Sequence, residues 1–224
     1  TIANPISIVR VFEARQVDEL ILLDIGSGAQ RKNVNPDIVR MITEELTVPF
    51  ACGGGIHELD QIALLIAAGA EKIVINTAAV EKPDLVKKAA SHFGRQCVVV
   101  SIDAHRTSTG YEVYTRNASQ PTGLDPVRWA QQVENLGAGE ILINAIDRDG
   151  TMEGYDQKLI RMVADAVDIP IIAAGGAGKL EDFPQAVLKG HANAVAAGSV
   201  YHYTKITPDM VKQVLQINGI PVRY

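Results

Sequence analysis

The chain contains the same supersecondary unit twice, offset by 121 residues, and a repeat of that length constrains the fold more tightly than any compositional property. Setting Glu19 on Glu140 brings Ile25 onto Ile146, Arg40-Met41 onto Arg161-Met162 and Pro49 onto Pro170. It also brings Gly54-Gly55 onto Gly175-Gly176, Leu59 onto Leu180 and Gly69 onto Gly190, with no gap over roughly sixty residues. Upstream, Asn4-Pro5 falls on Asp125-Pro126 and Glu13 on Glu134. A duplicated unit of this kind predicts two half-barrels built to one plan, able to hold a ligand with two phosphates symmetrically.

Short apolar runs alternate with amphipathic stretches along the chain. The runs Glu19–Ile25, Val48–Cys52, Lys72–Asn76, Cys97–Asp103, Glu140–Ala145, Ile169–Ala173 and Ala192–Ala197 read as strands. They are rich in Val and Ile without polar alternation, as parallel strands covered on both faces require. Helices are expected over Pro5–Arg15, Pro36–Leu46, Glu58–Ala68, Pro83–Phe93, Pro126–Leu136, Gln157–Val167, Leu180–Leu188 and Pro208–Ile217. A proline at or near the start is tolerated because the first helical turn has unpaired amides anyway. A small hairpin is expected at Tyr111–Thr115. This alternation predicts βα units and a parallel sheet, hence a single-domain (β/α)8 TIM barrel spanning residues 1–224. Eight helices face only seven strands, and an eight-stranded barrel needs one more. The repeat gives the strand ending at Asp103 a mate about 18 residues before Thr1, so the first strand and the loop after it are expected to be absent from this sequence.

The 224 residues, 47% of them hydrophobic, suffice for one sizeable core, and the net charge of −5 with no basic stripe argues against nucleic acid as a partner. No apolar stretch is long enough to span a membrane and no signal-peptide pattern opens the chain, so a cytoplasmic enzyme domain is expected. Cys52 and Cys97 lie in apolar strand-like runs and are expected as buried thiols. The five histidines show no ligand spacing and the cysteines no CxxC, so neither a metal nor a cofactor is expected. Gly53-Gly54-Gly55 is not the GxGxxG of a dinucleotide site.

In βα barrels the chemistry gathers at the C-terminal strand ends. There lie Gly54 and Gly55, Asn76 and Thr77, and their counterparts in the second half, Gly175 and Gly176, Gly198 and Ser199. Glycines let backbone amides approach phosphate oxygens closely, and two such pairs in register within a duplicated unit point to two phosphate sites. Acids end other strands: Asp24, Asp103, Asp147 and, two residues on, Asp149. Asp24 reads best as a local cap or ion pair. Asp103 closes an apolar run and the repeat gives it a mate across the mouth, the arrangement of a general acid/base pair.

Together, the runs Gly53-Gly54-Gly55-Ile56, Ile75-Asn76-Thr77-Ala78-Ala79-Val80, Val100-Ser101-Ile102-Asp103-Ala104, Asp147-Arg148-Asp149-Gly150-Thr151, Gly154-Tyr155-Asp156 and Gly175-Gly176-Ala177-Gly178 resemble the cyclase subunit of imidazole glycerol phosphate synthase, over Asn4 to Arg223. The resemblance implies a subunit that takes ammonia from a separate glutaminase partner. It adds the ammonia to a bisphosphorylated ribulosyl-formimino carboxamide nucleotide, giving imidazole glycerol phosphate and an aminoimidazole carboxamide ribotide. It also implies that Asp103 is one catalytic aspartate, its partner lying upstream of Thr1, and that Asn144 and Asp149 join the glycine pairs in binding substrate. At the opposite face it implies an ammonia gate of Glu19, Lys72 and Glu140, with an arginine on the missing strand as a fourth member. A stabilising ring of ion pairs is the alternative use of the same residues.

Three positions depart from the family pattern: Asn144 stands where threonine is usual, Ala174 where serine is usual and His105 where lysine is common. Asn144 and the run Ala196-Ala197-Gly198-Ser199 also resemble a paralogous branch delivering ammonia for amidination of surface-polysaccharide sugars. A non-catalytic subunit that only activates a glutaminase is a third reading.

Overall fold

The protein is described here by a computed structural model covering residues 5–26 and 34–223. Asn4, the expected mate of Asp125, lies outside the described residues. The first half runs α1 (Pro5–Ala14), β1 (Leu20–Leu23), α2 (Pro36–Thr43), β2 (Phe50–Gly53), α3 (Leu59–Ala67), β3 (Lys72–Ile75), α4 (Thr77–Glu81) and α5 (Asp84–Phe93). The second runs β4 (Val98–Arg106), a hairpin of β5 (Tyr111–Thr115) and β6 (Gln120–Pro121), α6 (Pro126–Leu136), β7 (Glu140–Ala145), α7 (Gln157–Ala164), β8 (Ile171–Ala174), α8 (Asp182–Leu188), β9 (Ala194–Val195), α9 (Ser199–Tyr203) and α10 (Pro208–Ile217).

The sheet order is β1-β2-β3-β4-β7-β8-β9, all parallel, with β5 and β6 paired antiparallel off the long end of β4. The sheet curls so that its first and last units meet. Phe12 on α1 packs edge-on against Tyr201 and His202 of α9, and Lys212 of α10 pairs with Asp18, just before β1, at 2.9 Å. This is the architecture of an α/β barrel.

The repeat survives at the level of single hydrogen bonds. Helices α2 and α7 span equivalent residues, as do strands β2 and β8. Their N-caps, Asn35 and Asp156, are repeat mates, and each side chain accepts a backbone N–H of the first turn. The Glu13 carboxylate accepts from the N–H of Thr47, and its mate Glu134 accepts from the N–H of Asp168, both at 2.8 Å. Leu20 N–H donates to the Pro49 carbonyl, and Ile141 N–H to that of Pro170, both at 3.0 Å.

Two apolar compartments follow from the period of two along a strand. Ile73, Ile75, Val98, Val100, Ile102, Ile141 and Ile143 point outward into the shell between sheet and helices. Ala51, Val74, Val99, Leu142 and Ile172 point inward and fill the barrel, with Ile21, Ala174 and Ala196 against them. On β3 and β7 these inward positions stack as Lys72, Val74, Asn76 and as Glu140, Leu142, Asn144. On β4 they run Val99, Ser101, Asp103. Charge lies at the bottom, an apolar layer in the middle and polar groups at the top, with four residues, or about 13 Å of strand, between the ends.

Several expected boundaries shift. The fourth strand continues past Asp103 to Arg106 because β5 pairs with its end, as Arg106 opposite Tyr111 shows. The seventh shrinks to Ala194–Val195, beside β8 on one side only among the described strands. Cys97 is not inside a strand. Gly94, at φ 92°, ends α5, and a 3₁₀ turn over Arg95–Cys97 follows, where the half-buried thiol donates to the Phe93 carbonyl. Cys52 is buried as expected, and burial pushes its thiol up to about 12. The short helices α4 and α9 were not expected. Trp129 packs into the outer shell on α6.

Candidate functional site

The C-terminal strand ends enclose a cavity of about 640 Å3. Of the residues singled out from the sequence, Asp24, Gly54, Gly55, Asn76, Thr77, Asp103, Asn144 and Asp149 line it. A cavity of that size suits a substrate larger than a simple sugar phosphate.

Asp103 sits at its floor. It belongs to β4, between β3 and β7, and in that layer each neighbour presents an asparagine. Asn76 Nδ2 donates to Asp103 Oδ2 at 3.0 Å, and Asn144 Nδ2 donates to Oδ1 at 3.2 Å. Register places Asn144 directly beside Asp103. Burial is the largest influence on this carboxyl and raises its pKa; Asp149 pushes the same way, and the two amides only partly oppose them. A carboxyl whose protonated form is favoured by burial, while two donors steady its anion, is suited to exchanging protons with a bound substrate. Asn144 therefore does more than replace the usual threonine hydroxyl, since its amide donates directly to the acid.

The Asp24 carboxylate accepts the N–H of Gly26, two residues on, at 2.9 Å. Arg106 pairs with Asp156 at 2.6 Å, and Arg148 donates to the Gly154 carbonyl at 2.9 Å. Asp156 is buried, caps α7 and also accepts from the Tyr111 hydroxyl at 3.0 Å, joining the hairpin to the loop after β7. Burial would raise its pKa, but Arg106, the Leu159 N–H and Tyr111 outweigh it and hold the carboxyl below the usual range.

The second glycine pair lies elsewhere. Gly175 and Gly176 are buried outside the lining of this cavity. A side chain at Gly175 would meet Asn144 and Ala145, and one at Gly176 would meet the Gly154 carbonyl. Their positive φ values, 81° and 108°, match the left-handed conformations of Gly54 and Gly55 at 120° and 67°. Close backbone packing is therefore reason enough for glycine at Gly175 and Gly176. Gly198 and Ser199 stand at the start of α9, also outside the cavity lining, and nothing lies near Gly198.

At the opposite end of the barrel, Lys72 Nζ lies 2.9 Å from both Glu19 Oε2 and Glu140 Oε1. The two glutamates are repeat mates that share one ammonium; the mate of Lys72 is Asn193, whose side chain instead accepts the Ile171 N–H. Burial would lower the Lys72 pKa, but two carboxylates more than compensate and raise it. For Glu19 burial prevails and its pKa rises. The opposite balance at the two partners has a geometric cause: Lys72 gains two partners, whereas Glu19 gains half of one and leaves Oε1 buried without a hydrogen bond among the described residues.

The sequence did not point to Arg116, Asn117 and Ala118, which the hairpin tip brings into the cavity wall, nor to Glu81 and Lys82 at the end of α4. Nothing local marks a turn residue as reaching a strand end some forty positions away. No group of His, Cys, Asp and Glu among the described residues is arranged to hold a metal ion, and no helix there is long and apolar enough to cross a membrane.

The family model described as "Histidine biosynthesis protein" matches residues 1–207. A curated relative named "Imidazole glycerol phosphate synthase subunit HisF", from Dehalococcoides mccartyi strain 195, is 44% identical over 220 residues, 98% of this chain and 87% of the relative. A second of the same name, from strain BAV1 of that species, is 42% identical over the same span.

Proposed function

The chain belongs to the histidine biosynthesis protein family, and on that footing we propose that it is the cyclase subunit of an imidazole glycerol phosphate synthase. It accepts ammonia released by a glutaminase partner and adds it to a bisphosphorylated ribulosyl-formimino carboxamide nucleotide. The products are imidazole glycerol phosphate and an aminoimidazole carboxamide ribotide.

One observation carries this reading: the inward positions of β3 and β7 lead from an ion cluster at one end of the barrel to the two asparagines that hold the Asp103 carboxyl, raised in pKa, at the other. Addition of ammonia to carbon leaves a positively charged nitrogen that must lose protons, and ring closure with expulsion of the second product requires a proton at the leaving atom. Asp103 sits where such protons would be exchanged, its carboxylate steadied by Asn76 and Asn144. The proposal places the second carboxylate of the pair on a strand preceding Thr1. Gly54, Gly55, Asn76 and Thr77 would receive one phosphate, and Gly175, Gly176, Gly198 and Ser199 the other. Glu19, Lys72 and Glu140 would form the entry for ammonia, whose path would run along the apolar layer of Val74, Val99 and Leu142.

Turnover of the nucleotide with free ammonium, without any glutaminase, tests the reading directly. Formation of both products is expected. Activation of a glutaminase with no such turnover would replace it with the ammonia-delivering or purely activating alternatives.

A further inference from the structure

The tip of the β5–β6 hairpin is built in an uncommon way. Arg116, Asn117 and Ala118 take φ values of 55°, 55° and 61°, three successive non-glycine residues in the left-handed region. Such backbone persists only where its surroundings hold it. Here the Arg116 N–H donates to Thr77 Oγ1 at 3.0 Å, and Asn117 Nδ2 donates to the Ile25 carbonyl at 2.7 Å. The hairpin is thus pinned to the chain just beyond β3 and just beyond β1, and Arg116 is carried into the cavity wall.

What the arginine does there is the question. Its Nε and an Nη donate to one oxygen of Glu81, at 3.2 and 2.8 Å, and both side chains are about half exposed. Four carboxylates stand in the lining, those of Asp24, Glu81, Asp103 and Asp149, against the lysine and arginine cations of Lys82 and Arg116. A phosphorylated ligand adds negative charge to this wall, so a cation must turn towards it. Only Arg116 combines a planar fork of donors with a backbone fixed at Thr77.

We propose that Arg116, assisted by Lys82, is an exchangeable clamp for a substrate phosphate seated against Asn76 and Thr77, with Glu81 holding the guanidinium until the phosphate takes its place. The exchange costs little because a solvent-exposed carboxylate is a weak partner, whereas a phosphate accepts the fork through two oxygens. The nature of the phosphate ester rests on the cyclase reading; the clamp itself does not.

The test titrates inorganic phosphate into the protein while following the backbone amides of Thr77 and Arg116 by NMR, which separates this site from any at Gly175-Gly176. Arg116→Ala is expected to weaken phosphate at these amides about tenfold, and Arg116→Lys to recover part of the loss. Glu81→Gln is the deciding variant, because removing the competing carboxylate should strengthen binding severalfold. Unchanged or weaker binding in Glu81→Gln would overturn the clamp, as would a loss in Asn117→Ala as large as that in Arg116→Ala, since it would mean that Arg116 only secures the hairpin. With the nucleotide substrate, the Arg116→Ala defect should fall on KM rather than kcat. Wild-type protein that binds phosphate at Thr77 but turns over no nucleotide would defeat the cyclase reading and leave the clamp standing.

Discussion

Asn76 and Asp103 are joined by a 3.0 Å hydrogen bond between neighbouring strands, in the uppermost inward layer of the barrel. With Asn144 on the other side, this bond leaves the part-buried carboxyl steadied as an anion yet raised in pKa, because desolvation outweighs two amide donors.

Asp103→Asn should reduce ammonia-dependent turnover by at least about a hundredfold, the usual worth of a positioned acid or base. The same change should raise the denaturation midpoint at neutral pH. A carboxyl whose folded pKa lies above its unfolded value binds more protons when folded, so its contribution falls as pH rises from the ordinary carboxylate range to the raised value. The stabilisation by Asn should therefore shrink towards low pH, and urea titrations at two pH values would show it. Equal gains at both would contradict the assignment.

Asn76→Ala removes a donor that favours the anion. The Asp103-dependent limb of the kcat/KM profile should move to higher pH. A mutant whose profile keeps its position while only its height changes would mean that Asn76 does not tune this acid.

Lys72→Met leaves Glu19 and Glu140 together without their shared cation, at a cost of about 3 kcal/mol. Adding Glu19→Gln should recover part of that loss, because the carboxylate with an unpartnered buried oxygen is then no longer charged. Chemical denaturation of the two single variants and the double variant gives the coupling. Additive losses would show that the three side chains do not act as one cluster.

Asp156→Ala should destabilise the fold by about 2–4 kcal/mol, through loss of the α7 cap and of the acceptor shared by Arg106 and Tyr111. Its pKa is depressed, so its pH dependence has the opposite sense to that of Asp103. The stabilisation is present above the ordinary carboxylate range and disappears as pH falls through the lowered value. Wild type and variant should therefore converge in strongly acid solution, which thermal melts across pH would reveal.

The α/β barrel, the duplication and the apolar run that carries Asp103 were legible in one dimension because each rests on a periodic signal. Buried parallel strands need unbroken Val and Ile, and a repeat leaves mates such as Glu13 and Glu134 making the same bond at the same offset. The grouping of Glu19, Lys72 and Glu140 came from resemblance rather than pattern, and the structure joins them through one ammonium. The glycine pairs were legible as strand-end turns, yet only Gly54 and Gly55 open onto the main cavity. Hidden altogether was the reach of the hairpin, since Arg116 has nothing near it in sequence to announce Thr77 or Glu81.

By itself, then, the sequence determined the alternation of elements, the two-fold plan and which residues stand at strand ends, since these depend on local period and on hydrophobicity. Tertiary structure alone decided which of those residues meet. Curling of the sheet and the register between strands set Asp103 between two asparagines, and the twist of a short hairpin carried Arg116 across to Thr77. Those distances follow from curling a sheet in three dimensions, a constraint that acts on all the strands at once and leaves no trace in any one of them.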